Sequence, residues 1–137
     1  MSPSTTPPGH GDVVRCRTAR FRTHWVPPAT AVVTVDGELD AANCSAFRDY
    51  AVAHGDGADR LILDLSDVGF AGTVALSALH AVGGRCADRH IPWAVVAGPT
   101  VDRLLRLCEP GTDLPVRDSV AAALRDRPLL QLIAQPR

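Results

Sequence analysis

The hydroxyl group of Thr73 is the side chain in this sequence with the clearest chemical potential. It lies in a turn of small residues, Ala71-Gly72-Thr73, that follows an apolar run and precedes a helical pattern. The free backbone N–H groups and the positive dipole end at the start of a helix stabilise a negative group. Such a turn suits a hydroxyl that carries a phosphate, so Thr73 is the candidate phosphoacceptor. The alternative interpretation is a helix N-cap, in which the Thr73 oxygen accepts a backbone hydrogen bond.

The cysteines offer a second kind of chemistry. They stand at positions 16, 44, 86 and 108, without the CxxC spacing or the paired His of a zinc site. Reduced thiols in or near the core are the simplest interpretation. A redox role for Cys44, Cys86 and Cys108 stays open as an alternative. Cys44 is the nearest of them to the loop at residues 37–43, and a thiolate is favoured at the start of a helix.

Catalysis is not expected from this sequence. It contains no nucleophile–base pair, no paired carboxylates in a shared loop and no Gly-rich phosphate-binding motif. Gly83-Gly84 falls late in a helical pattern rather than directly after a strand. No metal and no cofactor are predicted.

Composition and charge exclude further classes of protein. The formal net charge of −1 over 137 residues gives no excess that favours nucleic acid or an anionic membrane. No apolar run approaches the roughly 18 residues of a membrane span. The first residues lack the basic start and apolar segment of a secretory signal. A single cytoplasmic domain is therefore expected, either monomeric or weakly dimeric.

The elements that must position Thr73 alternate between strands and helices. Residues 61–65 form an apolar run typical of a buried strand, and helical spacing follows from Leu76 to Cys86. The same reasoning predicts strands at 13–21, 31–35 and 91–97, a connection at 23–30, a short strand at 114–116, and helices capped by Asp40, by Thr100 and by Asp118 or Ser119. The predicted fold is α/β, with a mixed, mostly parallel sheet of four to five strands, an antiparallel start and about four helices.

The two ends of the chain are predicted to lie outside the domain at residues 13–126. Residues 1–12 are rich in Pro, Ser, Thr and Gly and are expected to be disordered. Residues 127–137 form a tail that either extends the last helix or packs on the domain or on a partner.

Two loops are predicted to form one surface. In an α/β sheet, functional sites gather at the loops that leave the carboxyl ends of the strands. Residues 37–43 follow the second predicted strand, and residues 71–75 follow the central strand. If the two strands are neighbours in the sheet, the loops lie side by side.

Three segments of the sequence resemble a STAS domain. They are Gly-Glu-Leu-Asp-Ala-Ala-Asn at 37–43, Leu-Asp-Leu-Ser at 63–66, and Phe70 followed by a small-residue turn and a helix. More narrowly, residues 13–126 are similar to the bacterial anti-sigma factor antagonists. The usual turn of that family reads Phe-x-Asp-Ser-(Ser or Thr)-Gly. This chain has Gly72 in place of the Asp, Thr73 in place of the first Ser and Ala75 in place of the final Gly.

The resemblance implies a protein-binding regulatory function. A member of this family binds an anti-sigma factor, usually a serine kinase of the histidine-kinase-like ATPase fold, and thereby frees a sigma factor. The kinase phosphorylates the turn, which ends binding, and a phosphatase restores it. The residues that the resemblance places in contact with the partner are Gly37, Glu38, Asp40, Asn43, Gly72, Thr73, Val74, Ala75 and Ser77.

Alternatives to this function remain open at the level of the sequence. One is an antagonist controlled by oxidation of the cysteines. Another is a STAS module that acts as an accessory subunit of a transporter or binds a small ligand. For Asp40 and Asn43, capping of the first helix is the structural alternative to partner contact.

Overall fold

The computed structural model of the chain describes residues 13–126. The two predicted tails, residues 1–12 and 127–137, lie outside the described residues. The elements, in chain order, are β1 (Val13–Cys16), β2 (Ala19–Val26), β3 (Thr30–Leu39), α1 (Cys44–Gly55), β4 (Arg60–Ala71), α2 (Val74–Asp88), β5 (Trp93–Val96), α3 (Gly98–Cys108), β6 (Val116–Arg117) and α4 (Val120–Arg125).

The strands form one sheet in the order β1-β2-β3-β4-β5-β6. The first three strands are antiparallel neighbours, and β3 to β6 pair in parallel. The predicted α/β fold and mixed sheet are confirmed. The sheet has six strands rather than four to five because residues 13–21, predicted as one strand, contain the tight hairpin turn Arg17-Thr18. β2 then continues to Val26, through half of the predicted connection.

β3 and β4 continue well beyond the apolar runs that identified them. In β4, Val68 is buried whereas Asp67 and Gly69 are exposed, which is the alternation of a strand with one buried face. Two register shifts in the pairing of β3 with β4 accommodate these residues. The predicted loop at 37–43 is therefore reduced to residues 40–43, and the turn at 71–75 to residues 72–73.

The helices cover both faces of the sheet unequally. α1, α2 and α3 contribute to the main core on one face, and α4 covers a smaller cluster around Ile62 on the other. Each fully buried large apolar side chain stabilises the fold by about 1.5–3 kcal/mol. The largest of these side chains are Phe21, Phe47, Leu39, Leu61, Ile62, Leu63, Leu65 and Leu79.

The starts of the last two helices test the predicted caps. Ser119 caps α4, since its Oγ accepts a hydrogen bond from the Ala122 amide at 3.0 Å. The predicted cap Thr100 is wrong, because α3 begins two residues earlier, at Gly98. Pro99, which needs no N–H partner, occupies the first turn.

Within residues 13–126, no helix is long and apolar enough to cross a membrane.

Candidate protein-binding surface

The carboxyl ends of β3 and β4 lie side by side, because the two strands are neighbours in the sheet, which is the condition that the sequence analysis set. The register pairs Glu38 with Phe70 and Leu39 with Ala71. Beyond the last pair, the Gly72 amide donates a hydrogen bond to the Leu39 carbonyl oxygen at 2.9 Å. The loop after β3 and the turn before α2 are therefore fixed against each other.

Thr73 occupies the N-cap position of α2, but its side chain makes no capping hydrogen bond. Its φ of −61° and ψ of −24° are already helical, whereas a capping residue needs extended backbone to turn its oxygen towards the helix N–H groups. Ser119, which does cap, has φ −158° and ψ 164°. The N-cap interpretation of Thr73 is therefore wrong as far as the hydroxyl is concerned. That hydroxyl is exposed and makes no hydrogen bond with another residue of the described range.

Two backbone donors stand beside this hydroxyl. The first turn of α2 is closed by the Ala75 amide bonding to Gly72 at 2.9 Å and the Leu76 amide bonding to Thr73 at 3.0 Å. The amides of Thr73 and Val74 have no such partner among residues 13–126. They add N–H donors to the positive end of the helix dipole.

Two large apolar side chains flank Thr73 on the surface. Phe70 is 52% exposed and Val74 is 39% exposed. Phe70 was not singled out from the sequence as a contact residue. Strand alternation would place Phe70 on the same face as buried Val68, so no pattern in the sequence indicates its exposure. Ala75, in contrast, is buried in the core, so it shapes this surface without contributing a contact.

A groove of about 230 Å³ runs between α1 and α2 beside Val74. The exposed residue Ser77 lies in it, as do Ser45 and Arg48, neither of which the sequence analysis identified. Its full lining is Ala41, Cys44, Ser45, Arg48, Val74, Ser77 and Ala78. We refer to the exposed residues Glu38, Phe70, Thr73, Val74 and Ser77 as the turn surface.

Asp40 and Asn43 stabilise the loop rather than cap α1. Asp40 Oδ1 accepts a hydrogen bond from the Ala42 amide at 2.9 Å, within the loop. Asn43 occupies the N-cap position without a capping hydrogen bond. Its fully buried side chain donates to the carbonyl oxygens of Glu38 at 2.8 Å and Cys16 at 3.3 Å. It also accepts from the Asp40 amide at 3.0 Å. The predicted side-chain caps are wrong, because the side chains of Asp40 and Asn43 bond to the loop and to the neighbouring strands instead.

Gly37 is required by the backbone of the same loop. Its φ is +98°, and a Cβ at this position would lie 2.0 Å from the Thr18 carbonyl oxygen. The next amide, of Glu38, donates to that same oxygen at 3.2 Å. The turn of the β1–β2 hairpin therefore packs directly on the segment that presents Glu38.

Cys44 and Cys86 do not have the thiolate character that the redox alternative expects. Burial, together with the nearby Asp40 carboxylate, raises the pKa of Cys44 although it begins a helix. Burial and Asp56 raise the pKa of Cys86 to about 11. Cys108 is exposed on α3, and all four thiols are free. Among residues 13–126, no group of His, Cys, Asp and Glu side chains is arranged to hold a metal ion.

The sheet order and the paired loops define a STAS domain, and the chain belongs to this family. The family model described as "Mlab, STAS domain" matches residues 26–109. Osmosensory protein A of Mycobacterium tuberculosis (strain ATCC 25618 / H37Rv) is 32% identical over 126 residues, which cover 89% of this chain and 78% of that protein.

Solved structures with the same fold include anti-sigma factor antagonists. The antagonist from Mycobacterium paratuberculosis superposes with a TM-score of 0.66 at 25% identity, covering 87% of this chain and 95% of that one. The antagonist SpoIIAA in its unphosphorylated form has a TM-score of 0.62 at 14% identity, covering 82% and 95%. At that identity the second likeness concerns the fold alone.

Proposed function

We propose that this protein is an anti-sigma factor antagonist that binds a kinase-like anti-sigma factor through the turn surface and releases a sigma factor. The observation that supports this most directly is the hydrogen bond from Gly72 to Leu39. It joins the two loops that the family resemblance assigns to partner binding. The role is a binding function without catalysis, and it requires a cytoplasmic protein.

The turn surface contains exposed apolar side chains of the kind that lie at the centre of protein interfaces. Phe70 and Val74 are exposed apolar side chains, and burying each against a partner would stabilise the complex by about 1–2 kcal/mol. Aromatic anchors near the centre of an interface carry a large share of binding energy. Asp40 and Asn43 act beneath this surface by holding the loop that presents Glu38.

Thr73 is the proposed control point. Phosphorylation adds about −1.5 to −2 charges at pH 7, and a charge buried without a partner at an interface costs several kcal/mol. The unpaired amides of Thr73 and Val74 would stabilise the phosphate within the free domain. The modified protein would thus remain folded but would not bind, and a phosphatase would reverse the state.

The first experiment uses the protein as bait in a lysate of its own organism. The baits are the wild type, Val74→Glu, and Ala121→Glu as a matched control on α4, which packs on the opposite face of the sheet. We expect mass spectrometry to identify a kinase-fold anti-sigma factor with the wild type and with Ala121→Glu, and its loss with Val74→Glu. Capture of a transporter ATPase subunit instead would contradict the antagonist function in favour of an accessory role in transport.

A further inference from the structure

The β1–β2 hairpin concentrates positive charge at one edge of the sheet. It contains four Arg residues and no Asp or Glu, although the formal net charge of the chain is −1. The cross-strand register places Arg15 directly opposite Arg20, and Arg22 follows on the same face because side chains alternate along a strand. These three guanidinium groups therefore share the face of the hairpin that points away from buried Phe21.

These arginines do not contribute to the stability of the fold in a way that would explain their positions. Like charges directly opposite each other destabilise a pair of strands. Arg20 is compensated by Asp36, whose Oδ2 lies 3.0 Å from Nη2. Arg15 and Arg22 are exposed and make no ion pair with other residues of the range 13–126. Arg17, at the tip of the hairpin, adopts a φ of 60°, a conformation that favours Gly or Asn.

The same edge also offers backbone hydrogen bonds. β1 is the outermost strand, and only β2 pairs with it among the described strands. Val13 and Val14 on this strand are 56% and 41% exposed. The outer side of an edge strand presents unpaired N–H and C=O groups, with which another extended chain can pair.

We propose that β1 is the docking edge for an extended acidic segment of another protein. The segment adds to the sheet as a further strand beside β1. Its carboxylates, at alternate positions, lie on the face of the hairpin that carries Arg15 on β1 and Arg22 on the next strand, β2. A nucleic acid has no peptide groups to pair with this edge. A second copy of the chain would place arginines against arginines. The hairpin turn touches the loop of Glu38, so the docking edge continues the turn surface, but the proposal does not depend on the proposed function.

The test measures peptide binding by fluorescence anisotropy with the full chain. The probe is a rhodamine-labelled ten-residue peptide that alternates Glu and Thr, so that all its carboxylates lie on one side of a strand. We expect saturable binding that weakens with added salt. Arg15→Glu/Arg22→Glu should weaken it at least tenfold, whereas the control Arg89→Glu/Arg103→Glu, which reverses exposed charges elsewhere, should bind within about twofold of the wild type. Circular dichroism checks that both variants are folded.

Two further probes separate strand pairing from charge alone. The same peptide with N-methyl groups on alternate amides keeps its charge but cannot form the ladder on the methylated side. Two such peptides are compared, each methylated on the amides of one edge of the strand. We expect methylation of the edge that pairs with β1 to abolish binding, and methylation of the other edge to leave binding intact. The proposal would be overturned if both methylated peptides bound equally, or if both double variants lost binding equally. It would also be overturned if the protein bound only a 20-base-pair DNA duplex or only phosphatidylserine vesicles.

Discussion

The Gly72 amide lies 2.9 Å from the Leu39 carbonyl oxygen and donates a hydrogen bond to it. This bond extends the contact between β3 and β4 by one step beyond their last register pair. Because it leads directly into the first turn of α2, it fixes Thr73 relative to Glu38. A partner that contacts both loops therefore meets a preformed surface, which reduces the ordering cost of binding.

Replacing Gly37 with Ala should strongly destabilise the domain. The added Cβ would lie 2.0 Å from the Thr18 carbonyl oxygen, at a backbone φ of +98°. We expect the free energy of unfolding in urea to fall by about 2–4 kcal/mol. Gly84→Ala is the control, because nothing lies within 4 Å of the added Cβ in the middle of α2. It should raise stability by about 0.5–1 kcal/mol. Similar effects of the two substitutions would contradict the described packing of the hairpin turn on β3.

Restoring the acidic residue of the family's turn should not harm the fold. A Cβ at Gly72 meets its nearest neighbours at 3.9 Å, an ordinary contact distance. Gly72→Asp also places a negative charge beside the start of α2. We expect it to be more stable than the neutral Gly72→Asn by about 0.3–1 kcal/mol, with the difference shrinking in high salt. Urea unfolding at low and high ionic strength measures this, and a less stable Asp variant would contradict the described helix start.

The sequence predicted the order of the elements better than their ends. Apolar runs such as residues 61–65 mark buried strands reliably, because a strand covered on both faces needs them. The extension of β4 to Ala71 escaped prediction, because pairing with β3 holds its exposed residues in place, and a local pattern does not contain that pairing.

For the candidate site too, local sequence patterns predicted less than tertiary contacts determine. The adjacency of the two loops was predicted only on the condition that β3 and β4 are neighbours, which the sheet order shows. The exposure of Phe70 and the burial of Asn43 depend on tertiary contacts, with β3 and with the β1–β2 hairpin, that no spacing reveals. Thr73 and Ser119 look alike as candidate caps in sequence, and only their backbone angles distinguish them.

The thiols should differ widely in reactivity. Since burial and Asp56 raise the pKa of Cys86 to about 11, its thiolate fraction at pH 8 falls about 100-fold below that of a thiol with pKa 9. We expect an exposed Cys108 to react with an alkylating reagent first, with Cys86 and Cys44 protected until urea unfolds the chain. Mass spectrometry of timed samples locates the labels. If Cys86 in the folded protein were labelled as fast as Cys108, the result would contradict this prediction and favour a redox role.

Acid should weaken the link between α2 and α3. Hydrogen bonds from His80, at 2.8 Å, and from Thr112 lower the pKa of Glu109. A carboxyl group whose pKa is lower in the folded state contributes stability above its unfolded pKa and loses it as the pH falls through the folded value. The Tm difference between the wild type and Glu109→Gln should therefore be larger at pH 6 than at pH 3. A difference that does not change with pH would show that the pair contributes nothing through ionisation.

The central claim is that charge at position 73 controls partner binding. Calorimetric titration of the captured anti-sigma factor with the wild type, Thr73→Glu and Thr73→Gln tests it most directly, since the two variants differ in charge and hardly in size. We expect Thr73→Gln to bind within about threefold of the wild type, and Thr73→Glu at least 100-fold more weakly, a difference of about 3 kcal/mol. Equal affinities of the Glu and Gln variants would contradict the account.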